Sequence, residues 1–438
     1  MRTRLAVAML LLGCAPEGDL DWPQWRGPGG LGVSVASDLP VEWSDNETDA
    51  HWTVALQGLG NSSPIVALNT VYLTEARREN PGEEPRRFSR WLLAIDEANG
   101  AVKWEKRIVT TDAEPKHRQN TFSSPTPVAD RHGVYLYFGA HLARVLHAGE
   151  VDWLVEVDPD YAATSRYGAA SSPVLAADVV IAMQDREWGY GQRPSHTGWI
   201  AAFDRDDGTL RWKHEWAAQD GPCCTYTTPL IVRSGDRERL IVAYSWFLRE
   251  YDPQTGEILW SYEYSNGGWE INQLASSPVF ENDLLVVSGG AHAVKSTQAF
   301  SFVASDTNSR PQLLWGNERA VPETSSPLLM DGILYTVTDN RTMSAYDGRT
   351  GRLHWRQRLP PNGRYQPSLV GGSGRVYAAA SDGVAVVEAA REFKLLANNL
   401  SNGVITNASL AVGAECLLLR MQSALRCIER SGSTVESD

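Results

Sequence analysis

The chain has no long apolar run, no basic stripe and no convincing helix. Outside its first residues nothing approaches the ~20 consecutive apolar residues that span a bilayer. Acidic and basic side chains are mixed along all 438 residues, and the net charge is −13. Nucleic-acid binders gather Lys and Arg on one face, so nucleic acid is excluded as a partner. No Gly-rich loop sits at a strand–helix junction and no nucleophile elbow occurs, which removes the common phosphate-binding and serine-hydrolase motifs. The nine His show no ligand spacing, so no metal site is expected.

Trp, Gly and Pro are plentiful, at 16, 37 and 23. Length alone would suggest two or three domains, but repeats must be sought first. Two signals recur. A small-small-Pro step opens a strand at Ser62-Ser63-Pro64, Ser124-Pro125, Ser171-Ser172-Pro173, Thr227-Thr228-Pro229, Ser276-Ser277-Pro278 and Ser325-Ser326-Pro327. Degenerate copies follow at Gln366-Pro367-Ser368 and Asn407-Ala408-Ser409. Small residues suit the crowded innermost strand of a blade, and Pro is tolerated at a strand's first residue. The second signal is Asp, then Gly four residues on, then Trp four further, as in Asp96…Gly100…Trp104, Asp204…Gly208…Trp212, Asp252…Gly256…Trp260 and Asp347…Gly351…Trp355. Asp caps a tight turn, Gly supplies φ > 0, and the next strand buries the Trp. Trp153 with Gly149 is a partial copy, and Trp315 lacks the Gly. Alternating runs such as Thr70–Thr74 and Ile333–Val337 read as half-buried strands.

Each repeat therefore reads as four antiparallel strands, and the fold as an all-β, eight-bladed propeller. The last repeat, Thr406 to Glu429, holds three strands and no Trp. Trp52, in His51 to Leu56, is thus expected to supply its fourth strand and close the ring, removing an open sheet edge. Seven blades remain open if the degenerate copies are misread. The single propeller is placed at 22–430, after a signal and tether at 1–21 and before a polar, disordered tail at 431–438.

These turns resemble the quinoprotein propeller repeat, whose signature is Asp-x-x-Thr-Gly-x-x-x-Trp. Asp252…Thr255-Gly256…Trp260 and Asp347…Thr350-Gly351…Trp355 match it in full. That repeat occurs in quinone-dependent alcohol dehydrogenases and in the propeller lipoprotein of the outer-membrane β-barrel assembly machine. Trp22-Pro23-Gln24-Trp25-Arg26-Gly27-Pro28 and Lys116-His117-Arg118-Gln119-Asn120-Thr121 also resemble bacterial secreted proteins of this quinoprotein-like class. The resemblance spans Trp22 to about Ile428. It is specific for fold and weak for function, because the fold hosts both enzymes and scaffolds.

At the N-terminus Arg2 and Arg4 precede the apolar run Leu5 to Leu12, as in an export signal. Leu11-Leu12-Gly13-Cys14 resembles a bacterial lipoprotein signal, with Cys14 as the lipidated residue and Ala15 directing the chain to the outer membrane. An ordinary secretory signal is the alternative. Four Cys then remain, and an even number in an exported protein fits disulfides. Cys416 and Cys427 flank a hairpin turn near Gln422 and Ser423, so they could face each other.

In such a blade, alternate loops lie on opposite faces. The first-to-second and third-to-fourth turns are short, and the other face holds almost all the extra length. Arg77 to Arg90, Arg186 to Thr197 with Trp188, Tyr190 and His196, and Gly289 to Gln298 with His292 and Lys295 read as long loops there. Connections between blades add His117, Arg118 and Asn120, then Tyr226, then Trp269, Glu270 and Asn272. Long loops on one face of a rigid ring suggest a binding face; neutral insertion is the plainer alternative. His117, Arg118 and Asn120 could hold an anion or simply fix a blade junction. Adjacent Cys223 and Cys224 could form a disulfide ring, which in the quinone-dependent dehydrogenases stacks on the quinone. The carboxylate–Asn calcium site and catalytic Asp of those enzymes cannot be placed here.

The expected function is a non-enzymatic scaffold of the cell envelope, monomeric and cofactor-free. It would bind a protein or peptide on its long-loop face and hold to the membrane by a lipid anchor, or stay periplasmic or secreted. The alternatives are a pyrroloquinoline quinone and calcium dehydrogenase, and a carbohydrate binder suggested by Trp188, Tyr190 and Trp269.

Overall fold

The computed structural model describes residues 22–36, 38–45, 50–164, 166–184, 198–215, 225–264, 273–291, 294–414 and 416–429. Eight four-stranded antiparallel sheets follow one another round a ring. Blades 1 to 7 run in chain order at 65–112, 128–156, 174–215, 230–263, 279–317, 328–358 and 370–400. Blade 8 takes Ala411–Val412, Cys416–Arg420 and Ala424–Glu429 from the C-terminal region and Ala50–Ala55 from the N-terminal one. Ala50–Ala55 is its outermost strand, antiparallel to Ala424–Glu429, with Trp52 opposite Cys427. The chain therefore closes on itself as the sequence suggested. The helical turns Pro28–Gly30 and Tyr161–Thr164 lie between blades or outside them. Among the described residues no helix is long and apolar enough to cross a membrane. The segments expected to be signal and tail lie outside them.

The Trp of the outer strand, present in every blade but the seventh, packs on the next blade. Gly100 stands against Trp52, Gly149 against Trp104, Gly208 against Trp153, Gly256 against Trp212 and Gly351 against Trp315. A Cβ on Gly100 would lie 2.8 Å from the Trp52 ring, and Gly100 has φ +73°, so only glycine fits both the turn and the contact. The Gly of the motif thus serves the preceding blade's Trp. This explains why Trp315 needs no Gly in its own turn. The indole N–H groups then donate across the seam, Trp52 Nε1 to Glu97 O at 2.8 Å and Trp315 Nε1 to Gly348 O at 2.8 Å.

Blade 5 lacks the Asp…Gly turn, and Trp260 Nε1 finds no partner. Arg239 of blade 4 supports the substitute loop. Its guanidinium donates to the carbonyls of Val303, Ala304, Asp306 and Ser309 at 3.0–3.4 Å. Glu250 neutralises it through two hydrogen bonds of 2.7 and 2.5 Å, and both side chains are 1% exposed.

Around the axis a single hydrogen-bond circle links all eight blades. The Ser63 N–H donates to Thr126 Oγ1, Thr126 to Ser172, Ser172 to Thr228 and Thr228 to Ser277, at 2.8–3.0 Å. Ser277 donates to Ser326, Ser326 to Ser368, Ser368 to Ser409, and Ser409 back to Ser63, at 2.9–3.0 Å. This is why a small hydroxyl residue recurs at each strand-opening step. It also corrects the register in blade 2. The step is Thr126-Pro127, and Ser124 stands two residues earlier.

Of the segments expected as loops, Arg77 to Arg90 keeps an eight-residue loop at 79–86 between two long strands, whereas Gly289 to Gln298 is largely strand. Thr70–Arg78 and Arg87–Asp96 pair as far as Arg78 opposite Phe88. Leu284–Ala291 and Val294–Ser301 pair as far as Ala291 opposite Val294. Both pairs stay in register to their last paired residues.

Cys416 and Cys427 form a disulfide between two strands of blade 8, with Cα atoms 5.4 Å apart. Cys427 lies opposite Leu418, so the bridge runs diagonally. Closing an 11-residue separation stabilises by about 3 kcal/mol in the chain-entropy picture. The Cys416→Ala, Cys427→Ala protein should lose about that much in urea unfolding. An unchanged midpoint would show that the bridge constrains nothing.

Candidate functional site

The hydroxyl circle divides the central channel. Three residues beyond it in sequence, Val66, Ala129 and Gly371 hold the N-terminal segment. Val66 N–H donates to Trp22 O, Ala129 N–H to Pro23 O and Gly371 N–H to Gly32 O, each at 2.8 Å. Residues 22–34 therefore cross the channel and plug that end. Arg26 within the plug is fully buried with φ +61°. Its Nη2 donates to Leu31 O and Pro327 O, while Nε and Nη1 have no partner. Burial pulls its pKa down to about 9, so it stays charged at neutral pH.

The other end opens into a cup of about 410 Å³. Six residues of the hydroxyl circle, Ser63, Thr126, Ser172, Thr228, Ser368 and Ser409, form its inner wall, and the Trp25 indole of the plug forms the floor. The next tier lies two residues before each hydroxyl, and all eight of these positions line the cup. They are Asn61, Ser124, Ala170 and Tyr226, then Ala275, Thr324, Gln366 and Asn407. The connections between blades add His117, Gln119, Asn120, Tyr167 and Gln273 at the mouth. None of the described lining residues carries a formal charge.

The mouth is shaped by the turn 117–120. His117 N–H donates to Tyr167 O at 3.0 Å, and the two rings meet edge to face at 5.5 Å. Gln119 N–H donates to His117 Nδ1 at 3.3 Å, so the neutral ring carries its proton on Nε2. Burial, with Arg118 and Lys116 nearby, holds the His117 pKa below the usual imidazole value. The turn leans over the channel, where Asn61 and Asn407 both donate to Gln119 O and the Gln119 side chain reaches Gln366. Behind the wall, Asp339 is buried and its pKa is pushed up by that burial. It accepts from Thr324 Oγ1 at 3.0 Å and from Gln366 Nε2 at 3.3 Å.

Of the residues singled out in the sequence, His117, Asn120 and Tyr226 come together at the cup. Asn120 is mainly a clamp. Its amide donates to Tyr167 O and Ala169 O, and its oxygen accepts from Thr121 N–H and Ser124 Oγ. Arg118 is absent from the lining. Lys295 is paired with Glu323 beside the cup residue Thr324. Cys14, Trp188, Tyr190, His196, Cys223, Cys224, Trp269, Glu270, Asn272 and His292 lie outside the described residues.

Among the described residues no group of three acidic, His or Cys side chains could hold a metal ion. Their cup lining offers no carboxylate for calcium and no basic side chain for the carboxylates of pyrroloquinoline quinone. That donor set does not fit the quinone–calcium pair.

A family model described as outer membrane protein assembly factor BamB matches residues 164–317 and 303–392, together more than half of the chain. The chain belongs to this family. No curated protein matches it. Solved structures share the fold at low identity. BamB from Moraxella catarrhalis has a TM-score of 0.54 and 14% identity over 86% of this chain and 95% of its own. The quinohemoprotein alcohol dehydrogenase from Comamonas testosteroni reaches 0.59 and 13%, covering 95% of this chain and 82% of that one. A computationally designed protein, Ika8, reaches 0.55 and 12%, covering 85% and 97%. The propeller scaffold is thus common to an assembly factor, an oxidoreductase and a design, and the cup residues must carry the functional argument.

Trp25, Asn61, Gln119, Tyr167, Gln273 and Asn407 went unrecognised in the sequence. The signal was present: reading two residues back from each hydroxyl of the circle finds the whole middle tier of this family member. Placing the blade 2 step at Ser124 hid that register.

Proposed function

We propose that this protein is a binding scaffold of the cell envelope, not an enzyme, and that it meets its partner with the face that carries the cup. The observation that carries the reading is the cup itself. It is a closed-ended, preformed recess on the axis of a rigid ring, lined by carboxamides, hydroxyls and aromatics. Such a lining suits recognition by hydrogen bonding and stacking. The described lining holds no paired acid and base with which to move protons. The assembly-factor description of the family supports an envelope setting and a protein partner. The Cys416–Cys427 disulfide fits an oxidising compartment, and the lipoprotein-like signal at Cys14 would supply a membrane anchor.

A photo-crosslinking residue placed at Gln273 on the cup face, or at Glu150 in a short turn on the opposite face, tests this in cells. Crosslinks to an envelope component are expected from Gln273 and not from Glu150. Crosslinks from Glu150 alone would assign binding to the other face. Dye reduction that requires added quinone and is lost in Cys223→Ser would establish the dehydrogenase instead.

A further inference from the structure

We infer that the cup takes the uncharged end of a glycan chain. This rests on the reading of the cup as a binding seat and names the class of ligand it accepts. Three features of the recess argue for it.

The cup has one entrance, because residues 22–34 seal the other end of the channel. A polymer can enter only by its end. At about 410 Å³ the recess falls within the range of small-ligand sites, about 300–1,000 Å³. It holds a chain's terminal units and not a folded partner. A peptide end brings an ammonium or a carboxylate. Burying either without a counter-charge is costly, and the described lining supplies none. His117 stays neutral at pH 7, its pKa being lowered by burial and by Arg118 and Lys116. The charges nearby lie outside the lining and are already engaged: Arg26 in the plug donates to the carbonyls of Leu31 and Pro327, Asp339 behind the wall is met by Arg364, Thr324 and Gln366, and Lys295 pairs with Glu323. A glycan end has no such charge.

The polar groups match hydroxyls. A sugar hydroxyl both donates and accepts, and a carboxamide offers both functions side by side. Gln273 presents a carboxamide at the mouth, while that of Gln366, one tier further in, is partly engaged by Gln119 and Asp339. Deeper in, the hydroxyls of the circle accept backbone N–H groups and keep their own protons for an incoming oxygen. Trp25 at the floor and Tyr226 and Tyr167 on the wall supply aromatic faces for the apolar face of a sugar ring.

The experiment uses the full chain on an array of neutral and uronate-terminated oligosaccharides, with calorimetry on the strongest neutral probe. Tri-alanine, free and with both ends capped, is titrated alongside. Neutral glycans should bind, and uronate-terminated glycans and free tri-alanine should not. Gln273→Glu, which adds a carboxylate at nearly constant volume, should weaken binding at least about tenfold while thermal unfolding stays unchanged. Tyr226→Ala should weaken it by a similar factor. A preference for charged ends would overturn the inference, as would free or capped tri-alanine binding more tightly than any glycan. Retention of no neutral glycan at millimolar concentration, or affinity indifferent to both substitutions, would also end it. Crosslinking to a partner from Gln273 in cells, with no glycan bound in vitro, would keep the scaffold reading and discard this one.

Discussion

Glu250→Ala should destabilise the propeller by about 3–5 kcal/mol, the usual cost of stripping the partner from a buried charge. Arg239 would remain 1% exposed with no counter-ion. It is held there by the four carbonyls of the 303–309 loop, to which it donates. Urea unfolding measures the loss. The double replacement Arg239→Met, Glu250→Met should recover only part of it, because those carbonyls then lose their donor. Full recovery would mean that the pair contributes nothing to the blade 4–5 seam beyond cancelling its own desolvation. A loss below about 1 kcal/mol, as for surface pairs, would show that water reaches Arg239.

Trp52→Ala should cost a similar amount, about 3–5 kcal/mol for a large buried aromatic, with a consequence the other seams do not share. Trp52 sits on the strand that closes the ring, and its indole both covers Gly100 and donates to Glu97 O. Without it, Ala50–Ala55 is held mainly by backbone pairing to Ala424–Glu429. Its loss would leave blade 8 with an open edge. Trp355→Ala makes the matching control, since Trp355 donates to Ala390 O across an internal seam. Both variants should lower the urea midpoint. Only Trp52→Ala should make the segment before Asn61 cleavable by protease under native conditions. Equal protease resistance in the two would show that ring closure does not depend on this side chain.

The fold was legible because its rules are local. Asp96…Gly100…Trp104 and its copies announce turn, strand and burial within nine residues, while the strands expected to be half-buried, Thr70–Thr74 and Ile333–Val337, are buried at every position because each is packed between neighbouring blades. Even the closing strand could be read, because a blade short of one strand at the C-terminus needs a donor and Trp52 stood without a blade. The degenerate copies at Ser368 and Ser409 were harder. Pro stands before Ser368 and is missing beside Ser409. Their hydroxyls nonetheless complete the circle, since the circle requires the oxygen and not the ring of Pro.

The site was less legible. Loop length and composition drew attention to the ends of hairpins, such as Gly289 to Gln298, where the strands largely continue. The cup is built from single residues spaced about 40–60 positions apart, for instance Tyr226, Ala275, Thr324 and Gln366. Most lie in connections with nothing locally unusual about them; Tyr226 stands two residues after Cys224, which drew the attention instead. Trp25 was visible as part of a motif, but its role depends on residues 22–34 reaching Val66, Ala129 and Gly371 in three different blades.

The sequence by itself determined the repeat and the place of closure, because turn chemistry acts between neighbours along the chain, and it left the choice between seven and eight blades to the structure, which shows eight. The tertiary structure alone decided where the channel is sealed, which side chains converge on its open end, and that the described lining is uncharged. Those properties arise only when eight separate connections are brought to one axis, where the proximity that matters is across the ring and not along the chain.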